Sequence, residues 1–396
     1  MKNQLPKLLL GSALILSTGV ALNAQTLTQD WKYTTDIPAA ANARWGTGYD
    51  GKVWTNDKSV PQLIYWDKDG KHLVTNAEGQ AIGMKGTGIS VDAVGNILAS
   101  DAFAGAGAST TFKILPAGGN ALQDLAVTMP EGATAGRMDF IGRMAGNILS
   151  PEGGALYLAP QNSTSIAKIF IANGAQVADK SKAMAAIAAG STDGTVQPLD
   201  NDPESNNVVA RPNRTQVPFS YDETGNPVAW KAVGGNNTAG FDVVVLNGVT
   251  YSIESSQTNY CDGFQIVDRS KDEVVATHTE EFTAAAAKPN ANALTAEKVD
   301  EYTANIYQYV PGQLVAKYTF SLPQPPVSGV AEQEKAVTKA IGLNGEIRIE
   351  GEKATVSVYN MSGQTIESNS TETSFRVPAG FYMVVINGHA SKVLVR

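Results

Sequence analysis

The sequence predicts an all-β protein, a six-bladed β-propeller followed by a small β-sandwich. The first observation is a recurring pattern of two short apolar runs around a turn that tolerates positive φ, which is typical of a β-hairpin. The second is its spacing, with copies roughly 40 to 55 residues apart. The copies are Leu63–Val74, Phe112–Val127, Ala167–Val177, Val217–Val233, Phe264–His278 and Ile306–Phe320.

A second turn signal precedes most copies, at Asp50-Gly51, Gly95-Asn96, Gly146-Asn147, Asp193-Gly194 and Asn247-Gly248. Two hairpins per repeat make a four-stranded antiparallel sheet, which is one blade of a propeller. The fourth and sixth repeats are irregular, so five or seven blades remain alternatives to six.

The first 24 residues have the pattern of a secretory signal peptide. Lys2 and Lys7 form a basic start, Leu8–Val20 is apolar, and small residues precede Gln25. An uncleaved signal anchor is the alternative. No later stretch approaches the roughly 20 apolar residues of a spanning helix, so we expect no transmembrane segment in the mature chain.

Composition narrows the classes of partner. The chain has 396 residues, 43% of them hydrophobic, and a formal net charge of -8. An acidic chain without basic clusters disfavours nucleic acid as a partner, since phosphate neutralisation needs grouped Lys and Arg. Cys261 is the single cysteine, so no disulfide forms within the chain.

Residues 25–322 are assigned to the propeller, in which the first strand of a blade follows a glycine, as at Gly48, Gly88, Gly136 and Gly240. Such strands crowd around the axis, where a residue without a Cβ is favoured. Gln25–Ile37 is expected to add an outer strand to the last blade and so close the ring.

Two segments of the fourth repeat are predicted to lack strands. Lys180–Gly190, rich in Ala and Met, is interpreted as a helical turn between blades, and Pro198–Asn213, with three prolines, as a long surface loop. A Pro-rich linker follows at 323–334 and stiffens the chain. Residues 335–396 have short strands with frequent turns, which favour a β-sandwich.

The tail carries three motifs in order: Val358–Ile366, Pro378–Val384 and Lys392–Arg396. They resemble the C-terminal sorting domain of proteins exported by the Bacteroidetes type IX (Por) secretion system. The resemblance maps onto Gly380, Tyr382, Lys392, Val393 and Val395. It implies recognition by the type IX export machinery and a place at the outer-membrane surface or outside the cell, with the periplasm as an alternative. An ordinary immunoglobulin-like appendage is the other interpretation.

Gly88–Leu98 resembles the strand pair of the NHL and SMP-30/gluconolactonase-like six-bladed propellers. The gluconolactonase-like enzymes hold an axial metal with Glu, Asn and Asp, and that resemblance implies Asp101, Asn162 and Asp262 as candidates by position. A metal-dependent lactonase- or lyase-like enzyme is therefore a rival function.

The supply of histidine argues against a metal centre or a His-based triad. His72, His278 and His389 are the only three, and they lack metal-type spacing. Asp67–Gly70 fits a calcium loop by its alternating carboxylates, but Asp and Gly are also the residues that an outer turn prefers. We assign no catalytic residue, metal or cofactor.

Ligands of propellers usually bind at the axial face built by two kinds of connection: from the fourth strand of one blade to the first of the next, and from the second strand to the third. Here the connections from second to third strands are predicted at 55–62, 100–111, 159–166, 252–263 and 300–305. Exposed aromatic rings beside carboxylates suit stacking on sugars or capture of a protein loop. The candidates on or beside these connections are Trp45, Asp101, Phe103, Arg137, Tyr260, Asp262 and Tyr302.

The sequence thus predicts a secreted or cell-surface, non-catalytic binding protein. Its expected partner is an extracellular polysaccharide or a protein. A scaffold subunit of a surface complex is a further alternative.

Overall fold

The computed structural model describes residues 25–39, 41–86, 88–100, 109–133, 141–160, 163, 165–186, 195–211, 217–221, 226–233, 240–255, 263–280, 293–324, 338–351 and 353–396. The described residues form two compact units, divided between Pro323 and Gln324. Most of the predicted linker lies outside them. No helix in the described part of the chain is long and apolar enough to cross a membrane.

The first unit is built of antiparallel sheets that follow one another along the chain. Blade 1 consists of β2 (Gly46–Tyr49), β3 (Lys52–Asp57), β4 (Gln62–Asp67) and β5 (Gly70–Leu73). Blade 2 consists of β6 (Ile89–Val91), β7 (Ile97–Ser100), β8 (Ser109–Leu115) and β9 (Gln123–Thr128). Blade 3 consists of β10 (Ala145–Gly146), β11 (Gly154–Leu158), β12 (Ser165–Ala172), β13 (Ala175–Gln176) and β14 (Lys182–Ala186).

The second half of the first unit consists of three further antiparallel sheets, blades 4 to 6. Blade 4 consists of β15 (Thr195–Pro198), β16 (Val208–Arg211), β17 (Phe219–Tyr221) and β18 (Pro227–Ala229). Blade 5 consists of β19 (Phe241–Leu246), β20 (Val249–Ser255), β21 (Gly263–Asp268) and β22 (Glu273–Thr279). Blade 6 consists of β23 (Ala293–Lys298), β24 (Thr303–Val310), β25 (Leu314–Ser321) and β1 (Thr26–Tyr33).

The N-terminal strand closes the sheet that the end of the unit begins. β1 pairs antiparallel with β25, from Thr26 opposite Ser321 to Tyr33 opposite Val315. The expected closure by residues 25–37 is therefore confirmed. It also shifts the strand assignment: the hairpin Ile306–Phe320 joins the second and third strands of blade 6, because β1 supplies the outer one.

Neighbouring blades contact each other, in several cases through their first strands. β2 contacts both β6 and β23, and β19 contacts both β15 and β23. Blades 2 and 3 are joined where Met144 N–H donates to Val91 O at 2.9 Å. The propeller-like all-β fold is thus confirmed, with six such sheets formed by the described residues.

Packing between blades explains why the inner strands need glycine. A Cβ on Gly48 would lie 2.1 Å from Cγ of Tyr307, and one on Gly46 would lie 2.6 Å from Cβ of Tyr309. Both tyrosines belong to β24 and are buried. Blades 1 and 6 therefore interlock through rings that occupy the space a side chain on β2 would take.

Two segments differ from the sequence prediction. The predicted loop Pro198–Asn213 contains β16, whose four residues are all buried. The predicted helical turn within Lys180–Gly190 is instead a 3-10 turn at Ala178–Lys180 followed by strand β14. β16 is a short Val-Val-Ala-Arg strand within a Pro- and Asn-rich segment, and β14 is an Ala-rich strand that pairs with β12. In both cases pairing within the blade decided the structure, whereas the local composition favoured a loop or a helical turn.

The second unit is a two-sheet sandwich. One sheet orders β26 (Lys339–Leu343), β27 (Glu346–Glu350) and β30 (Ser374–Arg376). The other orders β29 (Thr365–Ser370), β28 (Val356–Asn360), β31 (Gly380–Ile386) and β32 (His389–Val395). Inward-facing residues of both sheets share one core, among them Ile347, Val358 and Val384.

Candidate functional site

An axial cavity of about 590 Å³ lies where the first strands of the blades end and their second strands begin. All six described blades contribute to its wall. One residue from each, in chain order, is Tyr49, Asp92, Arg143, Asp200, Val244 and Glu297. A cavity of this volume lies within the ordinary range for small-molecule sites.

An ion pair spans the wall of this cavity. Arg143 Nε donates to Asp242 Oδ2 at 2.8 Å, and Nη2 donates to the carbonyl oxygen of Val243 at 2.9 Å. The Asp242 side chain is fully buried, whereas 19% of the Arg143 side chain is exposed. The guanidinium is therefore the accessible half of a pair whose carboxylate lies inside the protein.

Backbone donors hold the buried carboxylate in place. Ala296 N–H donates to Asp242 Oδ2 and Val243 N–H donates to Oδ1, both at 2.7 Å. Burial raises the pKa of Asp242, while the Arg143 charge and these hydrogen bonds oppose that rise. A carboxylate so enclosed cannot reorient, so it fixes the plane of the guanidinium bound to it.

A glutamine ties the pair to a further blade. Gln197 Oε1 accepts from the backbone N–H of Arg143 at 2.8 Å, and Gln197 Nε2 donates to the backbone carbonyl oxygen of Phe241 at 2.9 Å. Together with Asp242 and Ala296, the network draws on blades 3 to 6. Its geometry therefore depends on four sheets being assembled.

Two other carboxylates of the wall are held by protein donors. Asp92 accepts from the N–H groups of Val94, Asn96 and Ile148 and from the Asn96 amide. This bonding fixes the turn between β6 and β7. The buried Asp92 is therefore explained by its role in the turn.

Glu297 is also engaged. Its Oε1 accepts from Asp50 N–H at 3.0 Å, and its Oε2 accepts from Asn305 Nδ2 at 2.9 Å and from the Tyr307 hydroxyl at 2.5 Å. It links blades 1 and 6 across the rim of the cavity.

The rim of the cavity is uneven because the connections differ in length. The connection in blade 4 spans residues 199–207, whereas Asp50-Gly51 suffices in blade 1. Buried Lys168 of blade 3 supports the longer connection, with Nζ donating to the carbonyl oxygens of Glu204 at 2.9 Å and Ser205 at 2.8 Å. Burial lowers the pKa of Lys168.

The structure places the cavity at the opposite end of the axis from the predicted ligand face. Five of the seven predicted ligand residues, and the metal candidate Asn162, lie outside the described residues; the five are Asp101, Phe103, Arg137, Tyr260 and Asp262. Their predicted roles stay predictions.

The other two predicted residues have different surroundings from those expected. Trp45 is 2% exposed and its ring Nε1 donates to Ile141 O at 3.1 Å, so it packs between blades instead of facing solvent. Tyr302 follows β23 rather than β24, in a connection from first to second strand. The prediction that 300–305 connects a second strand to a third was therefore wrong, because the outer strand of blade 6 comes from β1.

Sequence reasoning missed Arg143 and Asp242. Asp242 gave a signal, since it is the single charged residue in the otherwise apolar strand Phe241–Leu246. A charge inside a buried strand requires a partner. Arg143 is 99 residues away and on another blade, so pattern reading had no means of pairing them.

The candidate calcium turn has a structural explanation. Asp67 Oδ1 accepts from Asp69 N–H at 2.8 Å and lies 3.1 Å from His72 Nε2. Desolvation opposes ionisation of Asp67, but these hydrogen bonds outweigh it and lower its pKa. Within the described ranges, no group of three or more His, Cys, Asp or Glu residues is arranged to hold a metal ion.

A second polar cluster fastens the closing strand. Lys32 of β1 donates to Glu280 Oε2 at 2.7 Å, and Glu280 Oε1 lies 2.7 Å from His278 Nε2. Burial opposes ionisation of Glu280, but Lys32 and His278 outweigh it and lower the Glu280 pKa. The cluster joins blade 5 to β1 and so supports closure of the ring.

Comparison with known proteins supports the fold alone. No protein-family model matches the sequence, and no curated protein matches it significantly. A DUF4623 family protein from Bacteroides eggerthii DSM 20697 is similar at a TM-score of 0.54, with 12% identity over 78% of each chain. Virginiamycin B lyase from Staphylococcus aureus has a TM-score of 0.39 and 12% identity, over 74% of this chain and 99% of that one.

Proposed function

We propose that the protein is a non-catalytic binding protein whose axial cavity receives part of an extracellular glycan. The observation that carries this proposal is the cavity of about 590 Å³, walled by all six described blades and bordered by an accessible guanidinium. Concave sites with a few fixed polar groups suit small ligands or chain ends better than a broad protein surface.

The wall offers the groups that sugars use. The partly exposed ring of Tyr49 supplies an apolar face, and Arg143 and Asn201 supply donors. Sugar hydroxyls pair with such donors while the ring faces pack on aromatic carbons. The fixed frame of the inner strands limits the entropy lost on binding.

The test compares two substitutions in one turn. Ala93 lines the cavity, while its neighbour Val94 does not line it and is 43% exposed. Ala93→Trp fills the cavity and should abolish retention on a glycan microarray that retains the wild-type protein. Val94→Trp is the matched control and should be retained normally. Equal retention of both variants, or no retention of the wild type on any glycan, would overturn the proposal.

The proposal includes export to the outer-membrane surface, directed by the leader and the tail. Support comes from the sequence motifs: a leader before Gln25, and Gly380, Tyr382 and Lys392–Val395 in the tail. A chain ending at residue 337 should remain in the periplasm, whereas the full chain should react with an antibody on intact cells. Surface labelling of the shortened chain would contradict this part of the proposal.

A further inference from the structure

We infer that the axial cavity selects ligands that carry a carboxylate, such as glycans with uronic acid or sialic acid residues, and that Arg143 is the group that binds it. This inference rests on the proposed function, since it names the ligand class of the same cavity. It follows from how the guanidinium is held.

A guanidinium has five N–H donors in a planar fork. Arg143 uses its Nε–H toward Asp242 and one Nη2–H toward Val243 O. Three N–H groups remain, two on Nη1 and one on Nη2. Among the described residues these three meet no acceptor, and the side chain borders the cavity with 19% of its surface exposed.

The remaining donors form the outer edge of the fork. Asp242 and the Val243 carbonyl occupy the inner side, so the plane of the fork is fixed before a ligand arrives. Two parallel N–H···O bonds from such an edge match the two oxygens of a carboxylate. Preorganisation of this kind lowers the entropic cost of binding.

The wall holds three carboxylates, Asp92, Asp200 and Glu297, and two cations, Arg143 and Lys298. Selection of an anion therefore rests on the hydrogen-bonding edge of Arg143 and not on the net charge of the cavity. Asp242 is bound on the inner side of the guanidinium, so it does not occupy that outer edge.

The experiment uses ligand pairs that differ only at the carboxyl group. Oligogalacturonides, glucuronate-bearing and sialylated oligosaccharides are each compared with their methyl esters by calorimetry on the full mature chain. We expect the acids to bind about 10-fold or more tightly than the esters, the discrimination that a bidentate charged pair provides. Arg143→Lys should remove this preference, because one ammonium cannot serve Asp242 and also present a fork.

Lys298→Gln is the matched control. Lys298 is the other cation of the wall, and its Nζ already donates to Glu301 at 2.6 Å. The Lys298→Gln variant should keep the preference for the acids within about 3-fold of the wild-type value, which is the effect expected of a screened surface charge. An equal loss in Lys298→Gln and Arg143→Lys would show general attraction and would overturn the inference.

Arg143→Gln combined with Asp242→Asn provides a second variant if Arg143→Lys folds poorly, since it removes both charges of the pair and keeps a hydrogen-bonding group at each position. Equal binding of acids and esters by the wild type would overturn the carboxylate inference and leave glycan binding in place. Binding of no glycan at all would overturn both.

Discussion

Removing the charge of Arg143 alone should strongly destabilise the propeller. The Asp242 side chain has no exposed surface, and its acceptors are filled by Arg143 at 2.8 Å and by two backbone N–H groups at 2.7 Å. Arg143→Gln leaves a buried carboxylate without a cation. Breaking a buried pair in this way costs about 3–5 kcal/mol, whereas an exposed pair contributes about 0–1 kcal/mol.

The stability lost in Arg143→Gln should be smaller at low pH. Burial raises the folded-state pKa of Asp242 above its unfolded value, and loss of Arg143 raises it further. For a carboxyl with a raised pKa, stability is fully present below the unfolded pKa of about 3.9 and is lost as pH rises through the folded pKa. The difference between wild type and variant should therefore be largest near neutral pH and at least halved near pH 4.

Urea denaturation of the mature chain, followed by circular dichroism at several pH values, measures this difference. Lys298→Gln is the control, because its pair with Glu301 is exposed and should contribute less than about 1 kcal/mol. Arg143→Met with Asp242→Leu should restore most of the loss, since it removes both buried charges. A deficit below about 1 kcal/mol at pH 7, or one that grows in acid, would refute the reasoning.

Three further predictions concern the frame around the cavity. Deleting residues 25–37 removes β1 from β25 and should lower the melting temperature by on the order of 10 °C, since several kcal/mol of pairing are lost; an unchanged melting curve would contradict closure by β1. Gly48→Ala should cost about 1–3 kcal/mol in urea denaturation, because its Cβ meets Tyr307. Lys168→Met should speed hydrogen exchange at 203–207 more than elsewhere, since the carbonyl oxygens of Glu204 and Ser205 each lose a donor; uniform exchange would argue against a local support.

Turn chemistry is the part of the fold that sequence predicted best. Asp50-Gly51, Asn173-Gly174 and Asn247-Gly248 all adopt positive φ, and each joins two paired strands. Asn, Asp and Gly are the residues that tolerate this conformation, so their spacing reports the hairpins directly.

The misplaced elements share a physical cause, which is dependence on distant chain. β16 lies between polar, Pro- and Asn-rich sequence, yet all four of its residues are buried. β1 completes a sheet that begins almost 270 residues later. A local sequence pattern does not show which distant segment a strand will pair with. The same argument applies to the cavity, whose charged pair joins Arg143 and Asp242 across 99 residues.

These long-range links also connect closure of the ring with formation of the site. Arg143 enters from blade 3, Gln197 from blade 4, Asp242 from blade 5 and the Ala296 donor from blade 6. Each of these four comes from a different blade, so the fork is oriented only when the blades stand side by side. Blade 6 in turn receives its outer strand from β1, fastened through Lys32 to blade 5. Loss of that strand acts on blades 5 and 6, which carry the buried carboxylate and one of its backbone donors, and so it should loosen the guanidinium before it unfolds blades 1 to 3.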